Sequence, residues 1–396
     1  MHNYLSNNKV FFGSKTYSDY KDDLLSVDQF IKSNLKKNLV LNYSDNNPIV
    51  TIYLISKIKQ LNFSLILGEF EKFEKFHHDK LKINYLDIED YVIEPNSFYL
   101  TTSGTTGKPK LVKINFDNFF GTIKLIDEDV DNWLLTYNSN TYAGLQVMMT
   151  AALNYHFLFS SENNNPKDLF DQIIQHNINR ISATPTFWKL FLNFNKKNLP
   201  LINLKNITLG GEIAEQELLS KLKSSFPDAK INHIYATTET GVVFSVSDIL
   251  EGFPKDYLEK YNLKIDNKEL HVQRKDGTWF NTKDICDIEE NRILFKGRDI
   301  DNVKIAGRFV NILDVEKILM SSDLIDDVLV YPKKNPITGN ILVAEIKPKK
   351  RNDQNKKEID NYIKNLNKYM RPSTYKIVDK ISLNKNLKKS RISNGQ

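Results

Sequence analysis

The chain has 396 residues, 40 % of them hydrophobic and 26 % charged, enough for one large domain with a smaller one and ordinary for a protein that buries a core. Its net charge of +6 gathers late, in KPKKR (347–351), NKK (355–357) and NKNLKKSR (384–391); such runs read as a solvated face, and without zinc-finger spacing or an aromatic ribonucleoprotein signature no nucleic-acid partner is expected. No uncharged apolar stretch approaches the roughly 18 residues of a membrane span, MHNYLSNNKV lacks the apolar core of a secretory leader, and the single cysteine, Cys286, excludes an internal disulfide, so a cytoplasmic protein with no membrane association is expected.

The first 95 or so residues carry no motif that points to a chemistry. Along the chain, short apolar runs alternate with amphipathic stretches. FSLIL (63–67), SFYLTT (97–102), WLLTY (133–137), RISA (180–183), NITLG (206–210) and INHIYA (231–236) predict strands. AGLQVMMTAALNYH (143–156) and PTFWKLFLNF (185–194) carry helical spacing, and NPKDLF (165–170) reads as a helix start. Near-continuous apolar strands between helices predict an α/β protein with largely buried sheets. A boundary is expected near Gly297–Asp301. Beyond it VEKIL, DDVLVYP, ILVAEIKP and a charged helix over 357–369 make a compact α+β pattern of about a hundred residues. The expected division is 1–297 and 298–396.

The strongest local signal is Tyr99 to Lys110, YLTTSGTTGKPK, a strand running into small hydroxylated residues and glycines with two lysines behind. Gly104 and Gly107 let the backbone turn its N–H groups toward phosphates. The hydroxyls of Thr102, Ser103, Thr105 and Thr106 donate to phosphate oxygens, and Lys108 adds charge. The spacing is not that of a Walker loop, which needs four residues between its glycines and Ser or Thr after the lysine. A polar surface turn has the same composition.

TTSGTTGKPK resembles the signature loop of the adenylate-forming superfamily, which includes acyl- and aryl-CoA synthetases, adenylation domains of peptide synthetases and firefly luciferase. In that family the loop clamps the β- and γ-phosphates of ATP. Further motifs follow in the family's order. LGGEI (209–213), with Gly210, Gly211 and Glu212, resembles the segment lying against adenine. YATTETG (235–241) resembles the YGxTE box, with Ala236 in place of its glycine and Thr237 next in line. By that resemblance Tyr235 stacks on adenine, Thr238 touches the α-phosphate and Glu239 holds magnesium, with Thr102 as a second ligand. TKD (282–284) stands where the family has TGD, putting Asp284 on the ribose hydroxyls. FKGRDIDNVKIAGRFVNILDVEKIL (295–319) resembles the linker into the small domain, with Arg298 also on the ribose and a hinge among Asp299 to Asp301. KYMRPSTYKIVDKISLNKNLKKSR (368–391) resembles the closing segment, which puts the adenylation lysine at Lys388. Leu387 replaces a glycine there, so Lys389 is a rival.

The resemblance covers residue 97 to the end and implies a large α/β adenylation domain of packed subdomains, reduced ahead of the loop, joined by a hinge to a small mobile α+β domain. It implies ATP and Mg2+ as cofactors, and acyl transfer from the adenylate to a phosphopantetheine thiol of a carrier protein or of coenzyme A. YNSNTYAGLQVMM (137–149) stands where the acyl pocket begins and lacks the aspartate that amino-acid-activating domains use for the substrate amine. Amino acids are therefore disfavoured; Asn138, Asn140, Tyr142 and Met148 there suit an aromatic or hydroxyaromatic acid, and an aliphatic acyl chain also fits. The lysine-rich small domain suits an acidic carrier protein. An aliphatic acyl-CoA synthetase and a nucleotide-binding regulator without turnover are the alternatives.

Overall fold

A computed structural model describes residues 1–381 apart from 35–38, 70–76, 79–80, 82, 87–92, 104–108, 126–128, 163–165, 167, 196–197, 299–300, 306–307 and 336–338. The chain separates into two compact units, Met1–Glu251 and Gly252–Gln396.

The first unit holds thirteen described strands: β1 (Val10–Phe12), β2 (Val40–Tyr43), β3 (Ser64–Leu67), β4 (His77–His78), β5 (Ile83–Leu86), β6 (Phe98–Ser103), β7 (Pro109–Ile114), β8 (Asn132–Leu135), β9 (Phe157–Ser160), β10 (Arg180–Ala183), β11 (Asn206–Gly210), β12 (Lys230–Thr237) and β13 (Gly241–Val246). They form a seven-stranded sheet in the order β1-β9-β8-β10-β11-β12-β13 and a six-stranded one in the order β4-β5-β2-β3-β6-β7. All neighbours in the larger sheet are parallel except β12 with β13. In the smaller sheet β2, β3 and β6 run parallel. The apolar runs named from the sequence are strands because these sheets are covered: Leu65, Leu67, Leu134, Leu135, Ile207 and Leu209 are fully buried. The chain's first 95 residues supply β1 to β5 and two long helices, Tyr17–Ser33 and Pro48–Leu61. The second of these is buried nearly all round. Its start is written in Asn47-Pro48: the Asn47 side chain accepts from Ile49 N–H at 3.0 Å, and proline stands at the first helical position.

Asp131 ties down the amino edge of the larger sheet. Its carboxylate is fully buried, pairs with Arg180 at the start of β10, and accepts from Asn179 Nδ2 at 3.1 Å and Lys205 Nζ at 3.3 Å. Arg180, the first arginine in the chain, also lies over the Trp133 ring. Burial pushes the Asp131 pKa up, but the bonds and charges of Arg180 and Lys205 prevail and hold it below the usual aspartate value.

The second unit contains a five-stranded sheet (Phe253–Pro254, Leu263–Asp266, Glu269–Gln273, Trp279–Glu289, Arg292–Arg298), a hairpin (Asn302–Ile305, Arg308–Asn311) and a three-stranded sheet (Ile325–Asn335, Gly339–Pro348, Thr374–Ile377). Helices Ile312–Met320 and Asp353–Lys364 accompany the latter two, over a core of Val303, Val315, Leu319, Val328, Val330, Ile346 and Ile359. The charged helix expected over 357–369 begins earlier, because Asn352 caps it by accepting from Asn355 N–H at 2.7 Å. It ends earlier too, where Arg371 donates to the Lys364 carbonyl at 3.1 Å. The expected hinge falls inside this unit, and Asp299 and Ile300 lie outside the described residues.

Candidate active site

In open parallel sheets, ligands bind beyond the carboxyl ends of the strands, and that edge of the larger sheet gathers two of the motifs. β11 and β12 are adjacent and parallel, with Gly210 opposite Ile234, so LGGEI and YATTETG leave the sheet side by side. Beyond β12 the chain turns through Thr238, Glu239 and Thr240 into β13. Thr237, buried, closes this turn by accepting from Thr240 N–H at 3.0 Å. Thr238 is half-buried and Glu239 exposed, a carboxylate held on a short, bonded turn. A bulge between Tyr235 and Ala236 precedes it. The Tyr235 ring stacks on Phe244 of β13, centroids 5.2 Å apart.

Gly210 and Gly211 follow their strand, and Glu212 does a job that its motif did not announce. Its Oε2 accepts from the backbone N–H of Thr186 at 2.9 Å, in the first turn of helix Pro185–Asn195. Thr184 Oγ1 accepts from Phe187 N–H in the same turn. A carboxylate and a hydroxyl thus satisfy donors at the positive end of that helix. Thr184-Pro185 is the sequence signal that could have revealed this start. Tyr137 was also missed: its hydroxyl crosses to donate to the Gly210 carbonyl at 3.3 Å.

Of the four acyl-pocket candidates, Met148 is fully buried in the unit's main core. Asn140 is buried and donates through Nδ2 to the carbonyls of Asp45 at 2.7 Å and Tyr43 at 3.3 Å. These two therefore pack and clasp. Asn138 and Tyr142 are half-buried at the carboxyl edge. Burial raises the Tyr142 pKa, against hydrogen bonds from Val242 N–H and the Thr122 side chain. The Tyr142 hydroxyl lies 2.7 Å from where a Cβ on Gly241 would stand, and Gly241 has φ +76°, so glycine answers both the close approach and the turn. Phe119 meets the Tyr142 ring edge-on at 5.4 Å.

The two sheets meet at their carboxyl edges through an asparagine clasp. Loop 44–47 follows β2, loop 138–141 follows β8, and besides the Asn140 bonds, Ser139 N–H donates to Asn46 Oδ1 at 2.6 Å. The glycine-rich segment leaves the same edge of the smaller sheet. β6 and β7 form its antiparallel stem, with Thr102 opposite Lys110 and Ser103 opposite Pro109. Gly104, Thr105, Thr106, Gly107 and Lys108 lie outside the described residues, as do Lys388 and Lys389.

In the second unit Asp284 and Arg298 are paired across neighbouring strands, with Arg298 Nε donating to Asp284 Oδ1 at 2.8 Å. Asp301 accepts from Arg298 N–H at 2.8 Å. Lys283, which takes the place of a glycine in the resembled motif, adopts a left-handed turn at φ +63°. Its side chain pairs with Glu269 at 3.2 Å, and Asn281 Oδ1 accepts its N–H. Burial, with Asp284 and Asp287 adding to it, pushes the Cys286 thiol up to about 12. Among the described residues, no group of three or more His, Cys, Asp or Glu side chains could hold a metal unaided. A lone carboxylate with neighbouring hydroxyls suits magnesium, which is held by one or two carboxylates together with substrate phosphates and water.

Two compact units, parallel sheets with their loops joined at the carboxyl edges, and the ordered motifs define an adenylate-forming fold. A family profile described as AMP-binding enzyme matches residues 53–277, more than half of the chain, and one described as AMP-binding enzyme C-terminal domain matches 314–388. The chain belongs to the AMP-binding enzyme family. A D-alanine–D-alanyl carrier protein ligase of Listeria innocua is 23 % identical over 344 residues, covering 71 % of this chain and 65 % of that protein. The chain thus spans somewhat less than two thirds of that relative. Among solved structures, o-succinylbenzoate CoA synthetase from Bacillus subtilis, in complex with ATP and magnesium ion, is 18 % identical with a TM-score of 0.65, covering 98 % of both chains. An anthranilate CoA ligase in complex with anthranoyl-AMP is 12 % identical with a TM-score of 0.70, covering 98 % of this chain and 94 % of the other. These likenesses establish the fold.

Proposed function

We infer that this chain is an AMP-forming acid–thiol ligase. A carboxylate oxygen attacks the α-phosphorus of ATP and the bond to pyrophosphate breaks. A phosphopantetheine thiolate then attacks the acyl carbon and AMP leaves. The observation that carries this reading is the clasp of Asn46, Ser139 and Asn140, which joins the sheet edge bearing LGGEI and the Thr238–Glu239 turn to the edge from which the glycine-rich hairpin departs.

An ionised carboxylate needs no general base; it needs alignment and relief from repulsion as it meets a polyanion. The glycine-rich loop and Lys108 receive the departing pyrophosphate, Thr238 faces the α-phosphate, and Asp284 with Arg298 hold the ribose. Glu239 and Thr102 would hold magnesium, which would offset negative charge on the phosphates. Lys388, or its neighbour Lys389, bridges ribose and carboxylate. Rotation of domain 298–396 about Asp299–Asp301 then exchanges the lysine for a thiol-admitting face. The relatives that are carrier protein ligases support a carrier thiol, as does the lysine-rich small domain. The structural neighbours named as CoA ligases keep coenzyme A as the second reading.

The aromatic character of the acid rests on the half-buried Tyr142 ring, since Met148 and Phe119 both belong to the core. No helix of the described residues is long and apolar enough to cross a membrane, and a cytoplasmic location, where ATP is available, fits the single buried thiol. Incubation with ATP, magnesium, a panel of acids and hydroxylamine tests the reaction: an acyl hydroxamate with AMP supports it, and ATP binding without either product favours the regulator.

A further inference from the structure

We propose that Asn311 is a latch across the inter-domain hinge, a positioning residue whose amide ties the last strand of the five-stranded sheet to the start of the small domain and so sets the balance between adenylation and thioester formation. This deepens the two-step reading above and rests on it.

Each side of the hinge is anchored in a structure of its own. Before it, Arg292–Arg298 is a strand of the five-stranded sheet, with Arg298 opposite Asp284. After it, Asn302–Ile305 and Arg308–Asn311 pair as the hairpin that leads into helix Ile312–Met320. Rotation about Asp299–Asp301 therefore has to move Asn311 relative to Lys296. The half-buried Asn311 side chain bonds both. Its Nδ2 donates to the Lys296 carbonyl at 3.0 Å, before the hinge, and to Asn302 Oδ1 at 3.1 Å, after it. Its Oδ1 accepts from the N–H groups of Leu313 at 2.9 Å and Asp314 at 3.4 Å. Backbone N–H groups can only donate, so the carboxamide has one orientation, and both of its hydrogens face the linker.

Two further contacts close the same seam. Gly297 has φ +98°, and a Cβ there would stand 2.5 Å from Leu313 Cδ1 and 2.8 Å from Asp301 Oδ2. Glycine is what lets the helix start lie this close. Asp301 Oδ2 in turn accepts from Arg298 N–H at 2.8 Å. Capping the helix asks only for an oxygen, which aspartate or serine supplies equally well. The two amide donors are what asparagine adds, and both go to the linker. A net hydrogen bond shifts an equilibrium by about fivefold. The latch is thus strong enough to bias two orientations and weak enough to open in every turnover.

Asn311→Asp and Asn311→Ser test this in the full chain, since both keep the cap and remove the donors. Three rates are compared with wild type: acid-dependent pyrophosphate exchange with the best acid of the panel, thioester formation from the matching supplied adenylate with coenzyme A and with a phosphopantetheinylated carrier protein, and tryptic cleavage after Lys296, Arg298 or Lys304 mapped by mass spectrometry. In both variants cleavage there should quicken at least about fivefold. The ratio of the two half-reactions should shift at least about fivefold, in the same direction in both, with wild-type melting. An unchanged ratio, an unchanged cleavage rate, or two half-reactions that fall together with the melting temperature each overturn the proposal while leaving the ligase reading standing. If Asn311→Asp does not fold, Asn311→Ser decides. Wild-type protein that exchanges with no acid overturns the ligase reading, and the role of Asn311 with it.

Discussion

Replacing Asp131 by asparagine removes the charge that neutralises Arg180 at the amino edge of the larger sheet. The Asp131 carboxylate is 0 % exposed and the Arg180 side chain 11 %, whereas Lys205 is 51 % exposed. Breaking a buried pair costs about 3–5 kcal/mol because one ion is left buried without its partner, while a half-exposed lysine adds under about 1 kcal/mol. Arg180 retains the Trp133 ring face, so about 3 kcal/mol is the expected loss, or a melting temperature lower by about 6–12 °C for a unit of this size. Urea unfolding followed by circular dichroism measures it, with Arg180→Gln and the double variant completing a cycle. The double variant should recover a good part of the loss, since it buries no uncompensated ion. The pH dependence has a definite sign. The folded pKa of Asp131 is depressed, so its stabilisation is fully present above the unfolded value of about 3.9 and is lost as pH falls through the lower folded value. The four-residue strands β8 and β10 span about 13 Å, so activity per folded molecule should not change. A single-variant loss below about 1 kcal/mol, or costs that simply add in the double variant, would refute the reasoning.

Other outcomes follow from single contacts. Gly144→Ala places a Cβ 2.1 Å from the Asn138 carbonyl oxygen and should cost about 1–3 kcal/mol in urea unfolding; a neutral result would mean that loop 138–141 gives way easily. Cys286 is 2 % exposed with its thiol pKa near 12, so iodoacetamide at neutral pH should leave the folded protein unlabelled and label it in urea. Lys388→Ala should abolish adenylate formation yet leave thioester formation from supplied adenylate largely intact; the same pattern in Lys389→Ala instead would move the adenylation lysine by one residue.

Much of the sheet framework was legible because buried parallel strands read as unbroken apolar runs: RISA and NITLG are β10 and β11 residue for residue. β2 was not. VLNY carries Asn42, which looks polar and local, yet it is fully buried and donates to the carbonyls of Ile66 and Gly68, 24 and 26 residues away. Asn140 likewise acts on Asp45 across 95 residues. Such bonds leave no periodic trace in sequence. The ordered motifs were legible, and β11 and β12 bring two of them side by side, but the capping duty of Glu212 and the core position of Met148 depend on which helix packs beside them, which no motif encodes. Lys283 shows the converse. It stands where the resembled motif has glycine, and it holds a left-handed backbone at φ +63°, a conformation lysine tolerates at a cost of about 1–2 kcal/mol.

The most direct test of the central claim is pyrophosphate exchange into ATP, measured across the acid panel with and without magnesium for the wild type and Glu239→Ala. Exchange that requires both an acid and magnesium, and falls at least about a hundredfold in a Glu239→Ala protein with wild-type melting, is the predicted result. Exchange in Glu239→Ala at the wild-type rate and with the same magnesium dependence would contradict the assignment of that carboxylate, and exchange with no acid would contradict adenylation itself.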